Sequence, residues 1–358
     1  MTQALQSIKS TRRVVYTAWL AGKLLNHTLP QLRPGRMADS AYREFRPTAA
    51  ESGAHARAFT DDGEKPLTAP EPVPAADNPV LTSEDVTDYG SVDFVADPFV
   101  FPGTDRWHMF FEVFNRNREP DAVIGHATSP DGYEWEYDRV VLNTGEHLSF
   151  PYVFEWRGNR YMLPETGGGG DTLVELYRAV DFPTEWRRCS VLVSGKHPTD
   201  DQVVFRFGGR WWLMVGDGDS SDTYLYHSRT LERDAWRPHP ANPIVENRPE
   251  AYRPGGRPIV YDDRIVVFYQ DCASKYGTSV RAYEITDLDE SSFVEAEAPY
   301  SPVLEGTGRT LGWNSGRMHH IDPWAVDDRW FCAVDGNVNN AGLFTNDHWS
   351  IGVYSCPR

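Results

Sequence analysis

ADPFVFPGTDRWHMFFE (96–112), SFPYVFEWRGNRYMLPE (149–165), DDQVVFRFGGRWWLMVGD (200–217), GRPIVYDDRIVVFYQD (256–271) and IDPWAVDDRWFCAVDG (321–336) share one pattern. Each is a short apolar strand, a polar turn and a second apolar strand, and successive copies begin roughly 50–65 residues apart, close to the repeat of a propeller blade. Between them lie alternating runs that suit third strands: AVIGHAT (122–128), TLVELYRA (172–179), TYLYHS (223–228), SVRAYEI (279–285) and SIGVYS (350–355). Fourth strands are expected around Trp135, Trp186, Trp236 and Phe293. The last copy has little chain left after Val353, so its outer strand should come from residues before Asp93, a closure that removes an open sheet edge. The expectation is an all-β chain, a five-bladed β-propeller over 93–358.

Ahead of the repeats the character differs. Residues 1–36 read as a helix, with Leu5, Ile8, Val15, Trp19 and Leu20 near helical spacing and Pro30 and Pro34 ending it. Docking of residues 1–30 on the rest of the protein is favoured over peripheral contact with a membrane, because interfacial helices carry a larger basic face. Residues 37–92 are acidic and rich in Pro and Ala, as in EPVPAADNP (71–79), and read as a linker or extended wrapping segment.

Composition excludes several classes. The chain has 358 residues, 52 acidic against 35 basic, a formal net charge of −17 and a mean hydropathy of −0.53. No apolar run reaches the roughly 20 residues that span a bilayer, and the acidic balance disfavours nucleic acid as a partner. Cys189, Cys272, Cys332 and Cys356 are scattered without close pairs, which suggests neither a disulfide framework nor a zinc site. A cytoplasmic setting is expected, membrane-peripheral if the N-terminal helix so acts. Lys9, Lys23, Lys65, Lys196 and Lys275 are the only lysines, and such an acid-rich, lysine-poor surface suits a halophilic source.

Aligned by eye, Asp97, Phe150, Asp201, Arg257 and Asp322 occupy one position at the start of the innermost strand, and Glu112, Glu165, Asp217, Asp271 and Asp335 occupy another at the end of the second. Antiparallel pairing brings both sets to one mouth of the central channel. The second set is uniformly acidic, and an acid repeated at every strand end is more readily a turn closer than a catalytic group. The first set varies by blade, which points to function for Asp97, Asp201 and Asp322. His147, Arg253, Arg257, Gln270, His319 and His320 fall beside these positions and complete a candidate substrate-binding set. No metal is assigned, because the His319–His320 pair with Asp322 is a weak ligand pattern. The TGGGGD loop (166–171) lacks the strand-to-helix context of a phosphate cradle. No cofactor is indicated.

These residues resemble the five-bladed furanosidase-like propellers of glycoside hydrolases. The resemblance implies that Asp97, in Asp97-Pro98, is the base and that Asp201 tunes the acid. It fails at the acid itself, because a Glu-Gly-Pro element is replaced by Gly256-Arg257-Pro258 and a guanidinium cannot donate a proton at neutral pH. Glu165 or Asp271 would be the replacement. The strings HLSFPYVFEWRGNRYMLPET (147–166), VELYRAVDFPTEW (174–186), RPGGRPIVYDDRI (253–265), QDCASKYG (270–277) and MHHID (318–322) resemble more closely the N-terminal propeller domain of glucosamine inositolphosphorylceramide transferases. In the plant proteins a glycosyltransferase domain follows, whereas this sequence ends at Arg358.

The resemblance implies a glycan or glycolipid substrate, and Arg253 and Arg257 suggest that it is anionic, unless they pair with the aspartates around them. The leading expectation is a carbohydrate-active enzyme that cleaves or transfers a glycosyl group. The missing acid and the lack of a transferase domain instead favour a non-catalytic glycan-binding or scaffolding propeller with glycosyltransferase partners. Recruitment to chemistry on a non-sugar substrate is the third reading. Trp107, Trp211, Trp313 and Trp324 are candidate sugar platforms, although Trp in propeller strands more often packs between blades. On the halophilic reading, molar salt raises the melting temperature; a melting temperature unmoved by salt would refute that reading.

Overall fold

A computed structural model describes residues 67–167, 172–195, 199–260, 264–309, 312–338 and 348–358. The N-terminal helix, and residues 37–66 of the wrapping segment, lie outside the described residues, as do positions 168–171 of the glycine loop. No helix among the described residues is long and apolar enough to cross a membrane.

The described chain folds into five antiparallel sheets, the blades of the propeller. Blade 1 runs through Phe94–Pro102, Trp107–Phe114, Ala122–Ser129 and Glu136–Leu142, and blade 2 through His147–Trp156, Asn159–Gly167, Thr172–Asp181 and Glu185–Gly195. Blade 3 comprises Asp200–Phe207, Arg210–Asp217, Asp222–Ser228 and Arg237–Pro238. In blade 4 the innermost strand is broken: Arg253–Pro254 and Ile259–Val260 both pair with Ile265–Gln270, followed by Ser279–Leu288 and Phe293–Glu297, with Leu304–Glu305 added on Ser279–Leu288. Blade 5 has Ile321–Val326, Arg329–Asn337 and Trp349–Pro357, and its outermost strand is Glu71–Pro72, paired Glu71 to Ser355. The predicted closure from residues before Asp93 is thus realised.

Period-two alternation of large apolar residues fills the space between blades. Trp107 and Phe331 pack at 4.7 Å between blades 1 and 5, while Phe154 and Trp156 of blade 2 meet Trp211 of blade 3 at 5.7 and 5.1 Å. All four candidate platform tryptophans are buried in this way, Trp107 and Trp211 completely, and none presents a free face for a sugar.

The inner strands of blades 1, 2 and 3 share a bulge. Ala96 pairs with Glu112 and Phe99 with Phe110, leaving Asp97-Pro98 opposite one residue; Phe150-Pro151 is accommodated similarly, and Asp201 is the extra residue of blade 3. Asp97, Phe150 and Asp201 take positive φ of 53, 44 and 47°. A bulge re-aims the side chain at this point, here toward the axis. The expected equivalence of Arg257 and Asp322 with these three does not hold. Asp322 pairs regularly with Ala333, and Arg257 follows the wide Gly255-Gly256 turn. Gly256 has φ 147°, and a Cβ there would lie 1.7 Å from the Ile321 carbonyl oxygen, so only glycine lets blades 4 and 5 meet backbone to backbone.

The closing segment carries apolar anchors, Leu67, Val73 and Leu81, all nearly fully buried. Leu81→Ala should cost about 2–5 kcal/mol in urea unfolding, as for other buried leucines truncated to alanine. An unchanged midpoint would refute closure by this segment.

Candidate functional site

Two buried carboxyls define the mouth. Asp97 is 4% exposed, its Oδ1 has no hydrogen-bond partner, and it faces His319 Nε2 and His320 Nδ1, each at 3.7 Å. Glu112, 7% exposed, places Oε1 3.9 Å from His147 Nε2. Each of these His Nε2 atoms belongs to a ring whose far nitrogen is held by another acid: His319 Nδ1 lies 2.7 Å from Asp335 Oδ2, and His147 Nδ1 lies 2.8 Å from Asp121 Oδ1. The mouth therefore contains two carboxylate–imidazole–carboxyl arrays. One is sealed, with His319 and Asp335 buried; the other opens to solvent through His147, whose side chain is 30% exposed.

Burial is the main cause of the unusual acidities here. It raises Asp97 to about 7, with Asp201 and Asp335 adding to the shift and His319 and Arg253 opposing it. Burial also raises Glu112 well above the ordinary carboxylate range, reinforced by Asp97, Glu165 and Asp201. Asp201 is likewise pushed well up by burial despite Arg253. Asp335 goes the other way. Burial alone would raise it, but His319 and the amides of His319 and His320, at 3.0 and 3.1 Å, outweigh this and hold it low. Burial would lower His319, yet Asp335 first and then Asp97 keep its pKa raised. His320 is pushed down to about 3, chiefly by burial, and its Nε2 donates to the Pro98 carbonyl at 3.0 Å. A neutral imidazole in that tautomer turns an unprotonated Nδ1 toward Asp97.

Beside Asp97 lies a clamp centred on Arg253. Its Nε donates to Asp201 Oδ2 at 2.6 Å, its Nη2 to Glu165 Oε2 at 3.3 Å, and its Nη1 is 3.5 Å from Asp200 Oδ2. Gln270 donates to the same Asp201 oxygen at 2.5 Å, and Glu165 accepts the Asp201 amide at 2.7 Å. Tyr276 covers the clamp with its ring 5.2 Å from the guanidinium and makes an edge contact with His319. Tyr276 is 40% exposed.

The structure thus gathers Asp97, Asp201, Glu165, His147, Arg253, Gln270, His319 and His320. It does not bring Arg257 and Asp322 into reach of a ligand. They pair at 2.6 Å and are nearly inaccessible, with Arg257 Nη2 on the Val153 carbonyl and Asp322 Oδ2 on the Val100 amide and Trp324 indole. The guanidinium is stacked near Tyr152 and Trp324, so this pair plugs the axis as an internal support. Asp271 pairs with Arg281 at 2.9 Å and caps the Ala273 amide, the turn-closing role expected of its set. Glu112, Asp335 and Tyr276 are the site residues that the sequence did not single out. Asp97, His319 and Asp335 could also hold a cation, since ligand atoms of the three lie within 4.8 Å of one another. His319 Nδ1 and Asp335 Oδ2, 2.7 Å apart, form a close buried ion-pair contact within that group.

The sequence profile described as glucosamine inositolphosphorylceramide transferase 1, N-terminal, matches residues 65–337, which include every residue of this mouth. The chain belongs to this family. The Arabidopsis thaliana protein named glucosamine inositolphosphorylceramide transferase 1 is 35% identical over 282 residues, covering 75% of this chain and 35% of that protein. Its namesake in Oryza sativa subsp. japonica is 32% identical over 270 residues, with 73% and 35% covered. The chain therefore spans about a third of the length of these relatives. Among solved structures, this propeller is similar to a β-1,2-mannobiose phosphorylase from Listeria innocua in complex with β-1,2-mannobiose. That match has a TM-score of 0.58 at 12% identity over 78% of this chain and 95% of the other. The catalytic domain of a GH62 α-L-arabinofuranosidase from Coprinopsis cinerea matches with a TM-score of 0.54 at 14% identity, over 81% and 95%. At such identities the likeness is one of fold.

The raised pKa of Asp97 fixes a pH dependence in this family member. Its folded value, about 7, exceeds the unfolded value of about 3.9, so the folded state binds the extra proton between them and stability falls as pH rises through that window. Asp97→Asn removes this loss. Its urea midpoint should drop less than that of the wild type between pH 5 and pH 8, and parallel pH curves would show that Asp97 is not the group responsible.

Proposed function

We propose that the mouth binds a carbohydrate and acts on its glycosidic bond, by hydrolysis or transfer. The observation that carries this reading is the pair of buried carboxyls, Asp97 and Glu112, each beside a histidine backed by a second acid. Glycosidic cleavage needs one carboxyl that is protonated and one that can ionise, and environments that push two carboxyls apart in pKa supply them. Glu112 is the acid: burial raises its pKa well above the ordinary carboxylate range, and it lies 3.9 Å from His147, whose side chain is open to solvent. Asp97 is the base or nucleophile, ionising near 7 and turning a free Oδ1 into the site. Glu165 and Asp201 are held beside them by Arg253, with Gln270 also bonded to Asp201. Glu165 and Asp271, the acids expected from the sequence, are engaged by Arg253 and Arg281 instead.

Both arginines that suggested an anionic substrate are committed to carboxylates, Arg253 to Asp201, Glu165 and Asp200, and Arg257 to Asp322. The mouth therefore suits a neutral, hydroxyl-rich sugar, with Tyr276 as its stacking face. The names of the relatives direct the choice of substrate toward glycolipids as well as free glycans.

Turnover of a panel of neutral oligosaccharides and glycosylated lipids tests the assignment. The rate should climb as pH passes about 7 and Asp97 ionises, and Asp97→Asn should lower kcat by at least about a hundredfold, the scale of a lost acid–base group. Full activity in that variant would sink the role given to Asp97. Saturable binding without turnover would leave the propeller as a glycan-binding module.

A further inference from the structure

The acid-rich mouth has a counterpart on the opposite face of the disc. There, between the outer strands of blade 3 and the hairpin tip of blade 4, lies a recess of about 440 Å³ lined by Arg210, His227, Ser228, Arg229, Arg237 and Glu290, among others. Its place follows from the topology: Arg210 opens and Ser228 closes strands whose other ends, Asp217 and Asp222, lie at the mouth.

The charge of this recess is out of keeping with the chain. Acids outnumber bases 52 to 35, and the arginines of the mouth are each paired with carboxylates. In the recess only Arg210 is matched, by Glu290. Arg237 Nη1 donates to the main-chain oxygens of Asp234 and Trp236, at 3.0 and 3.2 Å, and neither it nor Arg229 has a carboxylate partner among the described residues. Of the two acids in the loop, Glu232 and Asp234, the latter is 3.8 Å from Arg233. His227 is held below its ordinary pKa, first by burial and then by Arg210, His239 and Arg237. The same face carries a basic pair between blades 2 and 3: Arg157 and Arg206 both lie over Trp156, at 5.4 and 4.3 Å, and Arg206 is lowered by burial and by Arg157. The guanidinium groups of Arg229 and Arg237 thus line the recess without a carboxylate partner, open to an anionic ligand.

We infer that the recess formed by Arg229, Arg237, Arg210 and His227 is a phosphate-binding site, separate from the mouth. Guanidinium forks suit a phosphate's oxygens, and the volume, within the roughly 300–1,000 Å³ of small-molecule sites, accommodates a phosphate carried on a sugar-sized group. The inference does not depend on the glycosidic reading of the mouth.

Isothermal titration with inorganic phosphate, glucose 6-phosphate and glucose tests it directly, beside co-sedimentation with phosphatidylcholine vesicles with and without phosphatidic acid. The full chain should bind the phosphates but not glucose. Arg229→Ala with Arg237→Ala, both at exposed positions, should weaken binding at least about tenfold without changing the melting temperature. Capture by glucose 6-phosphate would identify a soluble phosphate as the ligand, and capture only by phosphatidic acid vesicles a lipid headgroup; either, lost in the double variant, supports the site. No binding in any arm, or binding undiminished in the double variant, would overturn it.

Discussion

The site depends on a carboxylate of one blade gripping the bulged amide of the next. Glu165 of blade 2 accepts the Asp201 amide of blade 3 at 2.7 Å, and Asp335 of blade 5 accepts the Asp97 amide of blade 1 at 3.3 Å. Left-handed backbone at a residue other than glycine costs about 1–3 kcal/mol, and persists where the surroundings over-determine it. Here the charge-assisted bond, the flanking regular pairs and burial together hold the bulge. Its consequence is chemical: Asp97 and Asp201 are turned inward, side by side with the acids that hold them, in a region dry enough to raise their pKa values.

That crowding of acids needs internal relief, and the structure shows two kinds. Protonation is one, since burial keeps Glu112 and Asp201 well above the ordinary carboxylate range. Cations are the other: Arg253 is shared among Asp201, Glu165 and Asp200, His319 serves Asp97 and Asp335, and Arg257 is consumed by Asp322 deeper on the axis. Because Arg257 and Asp322 also bind the backbone of blades 1 and 2, the pair ties the innermost strands together. On the far face, Arg229 and Arg237 have no carboxylate partner among the described residues.

Much of this was legible in the sequence. The strand–turn–strand repeats specify five blades, and the shortage of chain after Val353 implies the closing strand, because apolar alternation and edge pairing are local rules. The Asp97 and Asp201 positions are marked by the Asp-Pro element and by the blade-to-blade variation. The repeat register does not extend to Arg257 and Asp322, since blade 5 has no bulge and blade 4 replaces it with a glycine turn whose reason is a contact with Ile321, far away in sequence. Glu112 and Asp335 were hidden by the regularity of their set: an acid in every repeat signals a structural role, yet Asp217 and Asp271 close turns while Glu112 faces His147. Tyr276 lies in a loop without periodicity, and only the tertiary structure shows its ring over Arg253.

The central claim is that Asp97 and Glu112 act together on one glycosidic bond. A crystal structure of the protein soaked with neutral oligosaccharides tests it most directly. The account predicts a sugar stacked on Tyr276 with its glycosidic oxygen within hydrogen-bond distance of Glu112 and its anomeric carbon facing Asp97 Oδ1. Sugar bound on the rim, away from both carboxyls, would contradict it, as would a mouth that stays empty at saturating ligand.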